Sequence, residues 1–386
     1  MKESRIDWIV WWTQVHLSSG YKLLLSAALF LLLAACDSAD HPAAGQLETG
    51  GTDGLRTAEP RSATSSHTTE PLPTPLSTPS RTADSPVMTD TIRYPADDAR
   101  IRYTGRFDFH DPKRPVFDWP GVAIEFAFEG TGLAIFLEDD SNFYNVTVDS
   151  RSQVLDTESG RERYVVAEGL EPGEHYFRMV KRTEAIIGSA VFGGVEIARG
   201  ELLEPPPGKG RRIEFIGDSI TAGFGNEGDS PECLFSAATQ NAEKAYAALV
   251  AAELDADYSL IAVSGLGVYY PLQMAGVSTP ETAIDFIDRV LAFDHSITWP
   301  PERQTPDAVV ISLGTNDYSS DPVPEDDAFI EAYLELLDGV RGRYPEAYIF
   351  AVAGPLVFQQ GPQMIETVVE RFQSAGDKRV TYVFIE

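Results

Sequence analysis

One serine of this sequence has the surroundings of an enzymatic nucleophile. Ser219 follows the apolar run Arg212–Ile216 and the pair Gly217 and Asp218, and a helical stretch begins directly after it. A serine between a buried strand and a helix lies at the carboxyl end of a sheet, where open α/β folds bind ligands. Its own amide N–H then lies at a helix start and can stabilise an oxyanion. A serine that only caps the helix accounts for the same pattern.

Two further strand ends carry hydrogen-bond donors suited to acyl transfer. The apolar run Tyr258–Val263 ends in Ser-Gly-Leu-Gly, and the run Asp307–Leu313 ends in Gly-Thr-Asn-Asp. Because the carboxyl ends of parallel strands meet at one sheet edge, we expect Ser219, Gly265 and Asn316 to converge there. A tetrahedral oxyanion requires pre-aimed donors of this kind.

The remainder of residues 211–386, here called the α/β module, alternates strands with helices. The further predicted strands are Ala347–Ala353 and Val380–Ile385, and the predicted helices are Ala245–Leu254, Pro280–Leu291, Ala328–Tyr344 and Gln363–Ser374. Apolar strands that alternate with helices are typical of a doubly wound parallel sheet.

Upstream of that module, residues 96–204 alternate apolar and polar residues at period two. Val122, Ile124, Phe126 and Phe128 share one face, and glycine, aspartate, asparagine or proline interrupts the runs about every eight to twelve residues. This pattern predicts an antiparallel sandwich, here called the sandwich.

Five polar residues of the sandwich have open or modest roles at this stage. His110 and His175 are expected to be turn or core histidines. Lys181, Arg182 and Glu184 form ion pairs at the rim of the sandwich in one interpretation, and face the neighbouring module in the other. The connector between the two modules is short and rich in proline, which predicts that they pack together.

The first residues of the chain have the features of an export signal. Leu23–Ala35 is apolar, follows Lys22, and is too short for a bilayer core that requires about 20 helical residues. It ends in Leu-Ala-Ala-Cys, which resembles a bacterial lipobox and implies that Cys36 is lipidated. We therefore predict a lipoprotein signal over residues 1–36. A plain signal peptide with a chance cysteine, or a buried helix, is the alternative.

A polar segment follows the predicted signal. Residues 37–95 are rich in serine, threonine and proline and contain little that could fill a core, so we predict a disordered linker. The first 55 or so of these residues, to about Asp90, have an r.m.s. reach of ~40 Å. Together with Cys36, the linker predicts an exported, membrane-anchored lipoprotein of the cell envelope, periplasm or cell surface.

The composition excludes two classes of protein. A net charge of −29 disfavours nucleic-acid partners, because phosphates are repelled. The two cysteines, Cys36 and Cys233, form no disulfide framework.

The motifs resemble a known family of hydrolases. GDSIT, SGLG and LGTND resemble blocks one to three of the SGNH (GDSL-type) hydrolases. GRFDF, DWPG and GEHYFRMVKRTEA upstream look like carbohydrate esterase family 2. The resemblance implies a jelly-roll sandwich followed by a flavodoxin-like, three-layer α/β domain. It also implies removal of O-acetyl groups from plant polysaccharides such as xylan and glucomannan, with no metal or organic cofactor.

The resemblance also implies roles for individual residues. Ser219 is the nucleophile, and its own N–H, the Gly265 N–H and the Asn316 side-chain amide form the oxyanion hole. Gly267 is the second candidate for the glycine donor. Asp218 is expected to brace a loop rather than to act as an acid.

Three other residues have structural and functional interpretations side by side. Asp317, like Asp218, is expected to brace a loop. Trp119 or Trp299 offers a face for sugar stacking, with a packed core tryptophan as the alternative.

A histidine base is the missing element. Ser219 needs an adjacent base, which in this family is a histidine in an Asp-x-x-His-Pro-like block after the last strand. The sequence stops at Glu386, where that block would begin, and its last histidine is His295, where no family pattern places a base. We expect a truncated or frame-shifted gene product, or otherwise a degenerate esterase that only binds carbohydrate. A lipid- or thioester-directed hydrolase is less favoured, because such enzymes need no sandwich.

Overall fold

The computed structural model of the protein describes residues 88–205, 207–230, 232–274 and 276–386. The predicted signal, Cys36 and most of the predicted linker lie outside the described residues. Among the described residues the first strands are β1 Thr91–Tyr94, β2 Arg102–Thr104, β3 Val116–Phe117, β4 Ala123–Glu129, β5 Gly132–Glu138, β6 Phe143–Val148, β7 Arg151–Asp156, β8 Arg163–Glu168, β9 Glu174–Lys181, β10 Ala190–Ala198 and β11 Glu201–Leu202.

These strands form two antiparallel sheets that enclose a core. One has the order β1-β10-β5-β8 with β3 beside β10, and the other has the order β11-β4-β9-β6-β7 with β2 beside β4. Ile124, Phe126 and Phe128 point into the core and are almost inaccessible to solvent. Phe126 stacks on Phe177 with 4.5 Å between ring centroids. Each such side chain contributes about 1.5–3 kcal/mol on burial, which is why the period-two pattern forms this sandwich. The predicted sandwich is confirmed.

The sandwich contains one histidine whose two ring nitrogens both have acceptors. His175 Nδ1 lies 2.7 Å from Asp149 Oδ2, and Nε2 lies 2.9 Å from the Glu171 carbonyl oxygen. Partial burial opposes protonation, but the hydrogen bonds to Asp149 and Glu171 outweigh it and raise the pKa of His175. His175 is therefore a turn histidine, as predicted from the sequence.

We expect this histidine to make stability depend on pH. Its pKa is raised on folding, so its contribution is present below the unfolded pKa of about 6.5 and is lost as pH rises through the folded pKa. Relative to His175→Asn, the free energy of unfolding should fall by no more than about 1 kcal/mol between pH ~5.5 and ~8.5, as for other exposed ion pairs. Urea unfolding of the wild type and of His175→Asn at both pH values measures this difference in the free energy of unfolding. A difference that does not change with pH, or that persists in an Asp149→Asn background, would contradict the assignment.

The second half of the described chain contains the elements of the α/β module. Its strands are β12 Arg212–Gly217, β13 Asp257–Ala262, β14 Gln273–Met274, β15 Val277–Ser278, β16 Ala308–Ser312, β17 Tyr348–Ala353 and β18 Val380–Phe384. Its α-helices are α1 Ser219–Ala222, α2 Tyr246–Glu253, α3 Ala283–Phe286, α4 Thr315–Tyr318, α5 Asp326–Arg343 and α6 Gly361–Ser374.

Five parallel strands form the central sheet in the order β13-β12-β16-β17-β18. Numbered within the module, this is the order 2-1-3-4-5 of flavodoxin-like folds, whose ligands bind beside the first strand. Gly217 at the end of β12 is in register with Ala262 of β13 and Ser312 of β16. The three strands therefore end at one level, which confirms the predicted convergence of their carboxyl ends.

One predicted helix is shorter than expected. Of the predicted span Pro280–Leu291, only Ala283–Phe286 is helical. The sandwich binds the carbonyl oxygens beyond it: Arg106 donates to those of Ile287 and Arg289, and Trp119 donates to that of Val290. Because side chains of the other module bind these carbonyls, no helical turn is needed to satisfy them.

The two modules pack against each other, as the short connector predicts. Arg106 of the sandwich and Glu214 of β12 form an ion pair with 3.0 Å between Nη2 and Oε2, and both side chains are buried. The Asp118 carboxylate accepts a hydrogen bond of 2.9 Å from the Ala292 amide. Removal of either partner of a buried charged pair leaves an uncompensated charge, so these contacts hold the modules in one orientation.

Candidate active site

Ser219 is the first residue of helix α1, directly after strand β12. The residue that caps this helix is Asp218, whose Oδ1 accepts a 3.0 Å hydrogen bond from the Ile220 amide. The interpretation of Ser219 as a mere cap is therefore wrong, because the carboxylate before it does the capping. A Cβ atom at Gly217 would lie 2.0 Å from Thr221 Oγ1, so only glycine allows this strand-to-helix turn.

Gly265 follows strand β13 at the same edge. Its φ is +83°, and a Cβ atom there would lie 2.2 Å from the Gln273 carbonyl oxygen. Both observations require glycine, because a side chain would be strained and would clash. Gly265, Tyr270, Gln273 and Asn316 are among the residues that line a cavity of about 540 Å³ at this edge.

Asn316 lies in helix α4, after strand β16, and connects the three strand ends. Its Nδ2 donates to the Leu266 carbonyl oxygen at 2.9 Å and to Asp218 Oδ2 at 3.3 Å. Leu266 follows Gly265, and Asp218 precedes Ser219. The structure thus brings together the three positions predicted to act on an ester, while their chemical roles stay predictions.

Asp317 braces the loop that follows Gly265. Its carboxylate accepts hydrogen bonds from the amides of Val268, Tyr269 and Tyr270 at 3.0, 2.9 and 2.9 Å. The predicted bracing role is confirmed. A Cβ atom at Gly267 would lie 2.5 Å from the Tyr270 carbonyl oxygen and 2.9 Å from Asp317 Oδ1. Close packing therefore accounts for that glycine without a role in binding an oxyanion.

The two buried carboxyl groups at this edge, those of Asp218 and Asp317, have raised pKa values. Burial raises the pKa of Asp218 to about 7, and the nearby Asp317 charge adds to this effect. Burial also raises the pKa of Asp317, against the three backbone donors that favour its ionised form. Burial is the main cause and outweighs the hydrogen bond from the Ile220 amide, so Asp218 titrates near neutral pH.

The described residues offer Ser219 no histidine partner. No hydrogen bond within them includes the Ser219 hydroxyl, and His110 is exposed on the sandwich. His295 Nδ1 lies 3.2 Å from Glu281 Oε1, and its side chain is 65% exposed. The expectation that His295 is a loop histidine is confirmed.

Comparison with known proteins identifies both modules. Residues 103–207 match the family model Carbohydrate esterase 2 N-terminal, and residues 215–383 match the GDSL-like Lipase/Acylhydrolase family. The chain is 34% identical to a family two carbohydrate esterase from Clostridium thermocellum, solved in complex with cellohexaose. The match covers 74% of this chain and 88% of that chain, with a TM-score of 0.69. The chain belongs to carbohydrate esterase family 2.

Two curated relatives in this family are much longer than the matched part. Cellulase/esterase CelE of Acetivibrio thermocellus is 34% identical over 293 residues, which is 74% of this chain and 35% of that protein. An acetylxylan esterase / glucomannan deacetylase of Cellvibrio japonicus is 34% identical over 219 residues, which is 55% of this chain and 58% of that protein. The chain spans about a third of the first relative and somewhat over half of the second.

Neither tryptophan considered for sugar stacking exposes a ring face to solvent. Trp119 and Trp299 are 1% and 2% exposed. Trp119 donates from Nε1 to the Val290 carbonyl oxygen at 2.9 Å, and Arg106 lies over the Trp299 ring. The stacking interpretation is wrong, because both rings fill the contact between the modules.

The sequence did not decide where the charged run of strand β9 and the following turn lies. Lys181, Arg182 and Glu184 are all buried, and Arg182 and Glu184 contact the α/β module rather than lying at a rim. Arg182 pairs with Glu227 and donates from Nε to the Gln240 carbonyl oxygen at 3.1 Å. The sequence carried no signal that could decide this, because charged residues are buried only where they are paired, and the partners Glu227 and Gln240 are distant in sequence.

Proposed function

We propose that this protein is a serine esterase that removes O-acetyl groups from plant polysaccharides such as acetylxylan and acetylglucomannan. The observation that carries the proposal is the meeting of Ser219, Gly265 and Asn316 at one sheet edge of a family 2 carbohydrate esterase. A relative named acetylxylan esterase / glucomannan deacetylase supports the substrate class.

The reaction proceeds through an acetyl-enzyme. Ser219 Oγ attacks the acetyl carbonyl carbon, the new C–O bond forms, and the carbonyl oxygen becomes an oxyanion. The tetrahedral intermediate collapses, the bond to the sugar oxygen breaks, and the sugar hydroxyl leaves with the proton that Ser219 lost. Water then attacks the acetyl-serine, which releases acetate and regenerates Ser219.

Three donors stabilise the oxyanion in this mechanism. The amides of Ser219 and Gly265 have no acceptor among the described residues, so both are free to bind it. Asn316 keeps one amide hydrogen on the Leu266 carbonyl and turns the other from its long 3.3 Å contact with Asp218. Each such donor contributes roughly 3–4 kcal/mol to the transition state.

Acetate release from acetylated xylan and acetylated glucomannan tests the substrate class. In a version extended by the family's Asp-x-x-His-Pro block, we expect these polymers to be deacetylated faster than long-chain esters of 4-nitrophenol. Faster hydrolysis of long-chain esters would instead support the lipid-directed alternative.

A second candidate function is carbohydrate binding without catalysis. The observation that favours it is that no described histidine contacts Ser219, while the adjoining cavity of about 540 Å³ remains open beside Tyr270 and Asn316. The solved relative that binds cellohexaose makes this hexasaccharide the natural probe. Calorimetric binding of cellohexaose that is unchanged in Ser219→Ala, together with no acetate release, would favour this candidate.

The proposal extends to export and membrane anchoring through Cys36. The apolar run before Cys36 and the polar segment after it support lipidation of the cysteine thiol. None of the helices in the described part of the chain has the length and apolarity that crossing a bilayer requires.

Cys36→Ser is expected to abolish lipidation, because the thioether to diacylglycerol cannot form on a hydroxyl. The wild-type protein should sediment with membranes and carry diacylglycerol by mass spectrometry, while the variant should not. Ser38→Ala, two residues away, is the matched control and should stay anchored. A wild-type protein that lacks diacylglycerol would show that the anchor assignment is wrong.

A further inference from the structure

The sandwich places one glutamate directly behind the predicted oxyanion hole. Glu184 is completely buried, and its Oε2 accepts a 2.6 Å hydrogen bond from the Ser264 amide. Its Oε1 accepts a 2.5 Å hydrogen bond from Ser264 Oγ. Ser264 is the residue before Gly265, so this carboxylate fixes by hydrogen bonds the backbone that carries the Gly265 amide.

The same carboxylate also reaches the helix that begins at Ser219. Glu184 Oε1 accepts from Gln240 Nε2 at 3.2 Å, and Gln240 Nε2 also contacts the Ala222 carbonyl oxygen at 3.1 Å. Ala222 is the last residue of α1. One side chain of the sandwich thus connects to the loops of two of the three strand ends in the candidate site.

The turn that carries Glu184 is itself held rigidly. Lys181 Nζ is buried and donates to the carbonyl oxygens of Thr183 and Glu184 at 2.7 and 3.2 Å. Arg182 donates to the carbonyl oxygens of Gln240 and Ala238 at 3.1 and 3.0 Å. Lys181 and Arg182 therefore fix the backbone of the turn. Because the turn is fixed, Glu184 has a defined position from which to bind Ser264.

We propose that Glu184 is a positioning residue for the esterase reaction, through which the sandwich aims the Gly265 amide and helix α1 at the ester. The inference rests on the proposed function. It gives the sandwich a role in catalysis, in addition to any role in carbohydrate binding. Glu184 touches no reacting atom and acts through Ser264 and Gln240. A misplacement of about 1 Å in such a site costs about 10²-fold in rate.

Glu184→Gln tests the proposal with little change in shape. Each carboxylate oxygen accepts from a nitrogen donor, Oε1 from Gln240 Nε2 and Oε2 from the Ser264 amide, so the NH₂ of glutamine must face one of these donors and lose that bond. In a version with Ser219-dependent acetate release, kcat should fall about 10²-fold and KM should stay within about twofold. Ser264→Ala removes only the hydroxyl contact, so its kcat should fall by about 3–10-fold.

Glu125→Gln is the matched control. Glu125 is also a buried glutamate of the sandwich, but its partners are Arg102, Tyr176 and Arg178 rather than Ser264 or Gln240. Arg102 contacts Asp257, at the start of strand β13 and away from the carboxyl edge. This variant should keep kcat within about twofold of wild type.

Amide hydrogen exchange of the full chain provides a measurement that does not need activity. Glu184→Gln should accelerate exchange by about tenfold or more at Ser264 and Leu266, whose amides bind Glu184 and the Val263 carbonyl oxygen, whereas Glu125→Gln should not. Unchanged exchange at those residues, or a loss of rate that appears in KM rather than kcat, would overturn the proposal. If the polypeptide extended by the family's Asp-x-x-His-Pro block shows no Ser219-dependent acetate release, the proposed function fails, while exchange still decides whether Glu184 holds the turn.

Discussion

A polypeptide that ends at Glu386 is expected to release acetate from acetylated xylan barely above background, and Ser219→Ala is expected to change that rate by less than about twofold. An alcohol is a weak nucleophile at neutral pH and needs a base within hydrogen-bond reach. Among the described residues no histidine contacts Ser219, and His295 lies against Glu281 instead. Loss of a catalytic group of this kind costs roughly 10⁴–10⁶ in kcat.

A carboxyl-terminal extension that carries the family's Asp-x-x-His-Pro block tests whether a missing histidine base limits the rate. We expect it to raise kcat by roughly 10⁴-fold or more and to make the rate strongly dependent on Ser219. The same extension with alanine in place of its histidine is the matched control. Robust Ser219-dependent hydrolysis by residues 37–386 alone would contradict the prediction, and His295→Ala would then be the substitution to make.

The pH profile of the extended polypeptide should rise through a pKa near 6–7, as expected for a histidine base. Asp218 titrates in the same range, since burial raises its pKa to about 7. Asp218→Asn separates the two groups, because a limb of the profile that persists in this variant belongs to the histidine.

Asn316→Ala is expected to have the second largest effect on catalysis. In the extended, active polypeptide it should lower kcat by about 10²–10³-fold and leave KM almost unchanged. The reason is that the amide binds a charge that exists only in the transition state. Steady-state kinetics on acetylated xylan and on 4-nitrophenyl acetate measure both constants.

Asn145→Ala is the control for that substitution. Asn145 is an asparagine of the sandwich that donates to Asn241 Oδ1 at 3.0 Å, so its loss also removes a contact between the modules. We expect its kcat to stay within about twofold of wild type. An Asn316→Ala variant whose main change is a higher KM would remove Asn316 from the oxyanion hole and assign it to substrate binding.

Several features of the protein were predictable because their signals are local. A short apolar strand followed by Gly-Asp-Ser specifies a strand, a turn and a helix start within a few residues, and the structure has them at Arg212–Gly217 and Ser219–Ala222. The period-two run Val122–Phe128 specifies which side chains enter the core. The predicted order of strands and helices in the α/β module follows from the same local periodicity, because parallel strands need crossover helices.

The residues that are buried where the two modules pack together could not be predicted from local sequence patterns. Trp119 is as compatible with a sugar platform as with a core, and its neighbours in sequence do not distinguish the two. The helix predicted over Pro280–Leu291 is interrupted because Arg106, 181 residues before Ile287, binds its carbonyl oxygen. Such contacts join residues whose local patterns carry no information about each other.

The sequence by itself therefore determined the two modules, the strand ends and the residue types gathered at Ser219, Gly265 and Asn316, because each depends on a short stretch of chain. Only the tertiary structure decided what holds those residues in place. Glu184 and Ser264 are 80 residues apart, and their hydrogen bonds exist only because the sandwich covers the back of the sheet edge. A buried carboxylate requires donors from whatever surface encloses it, and that surface is set by how the modules pack.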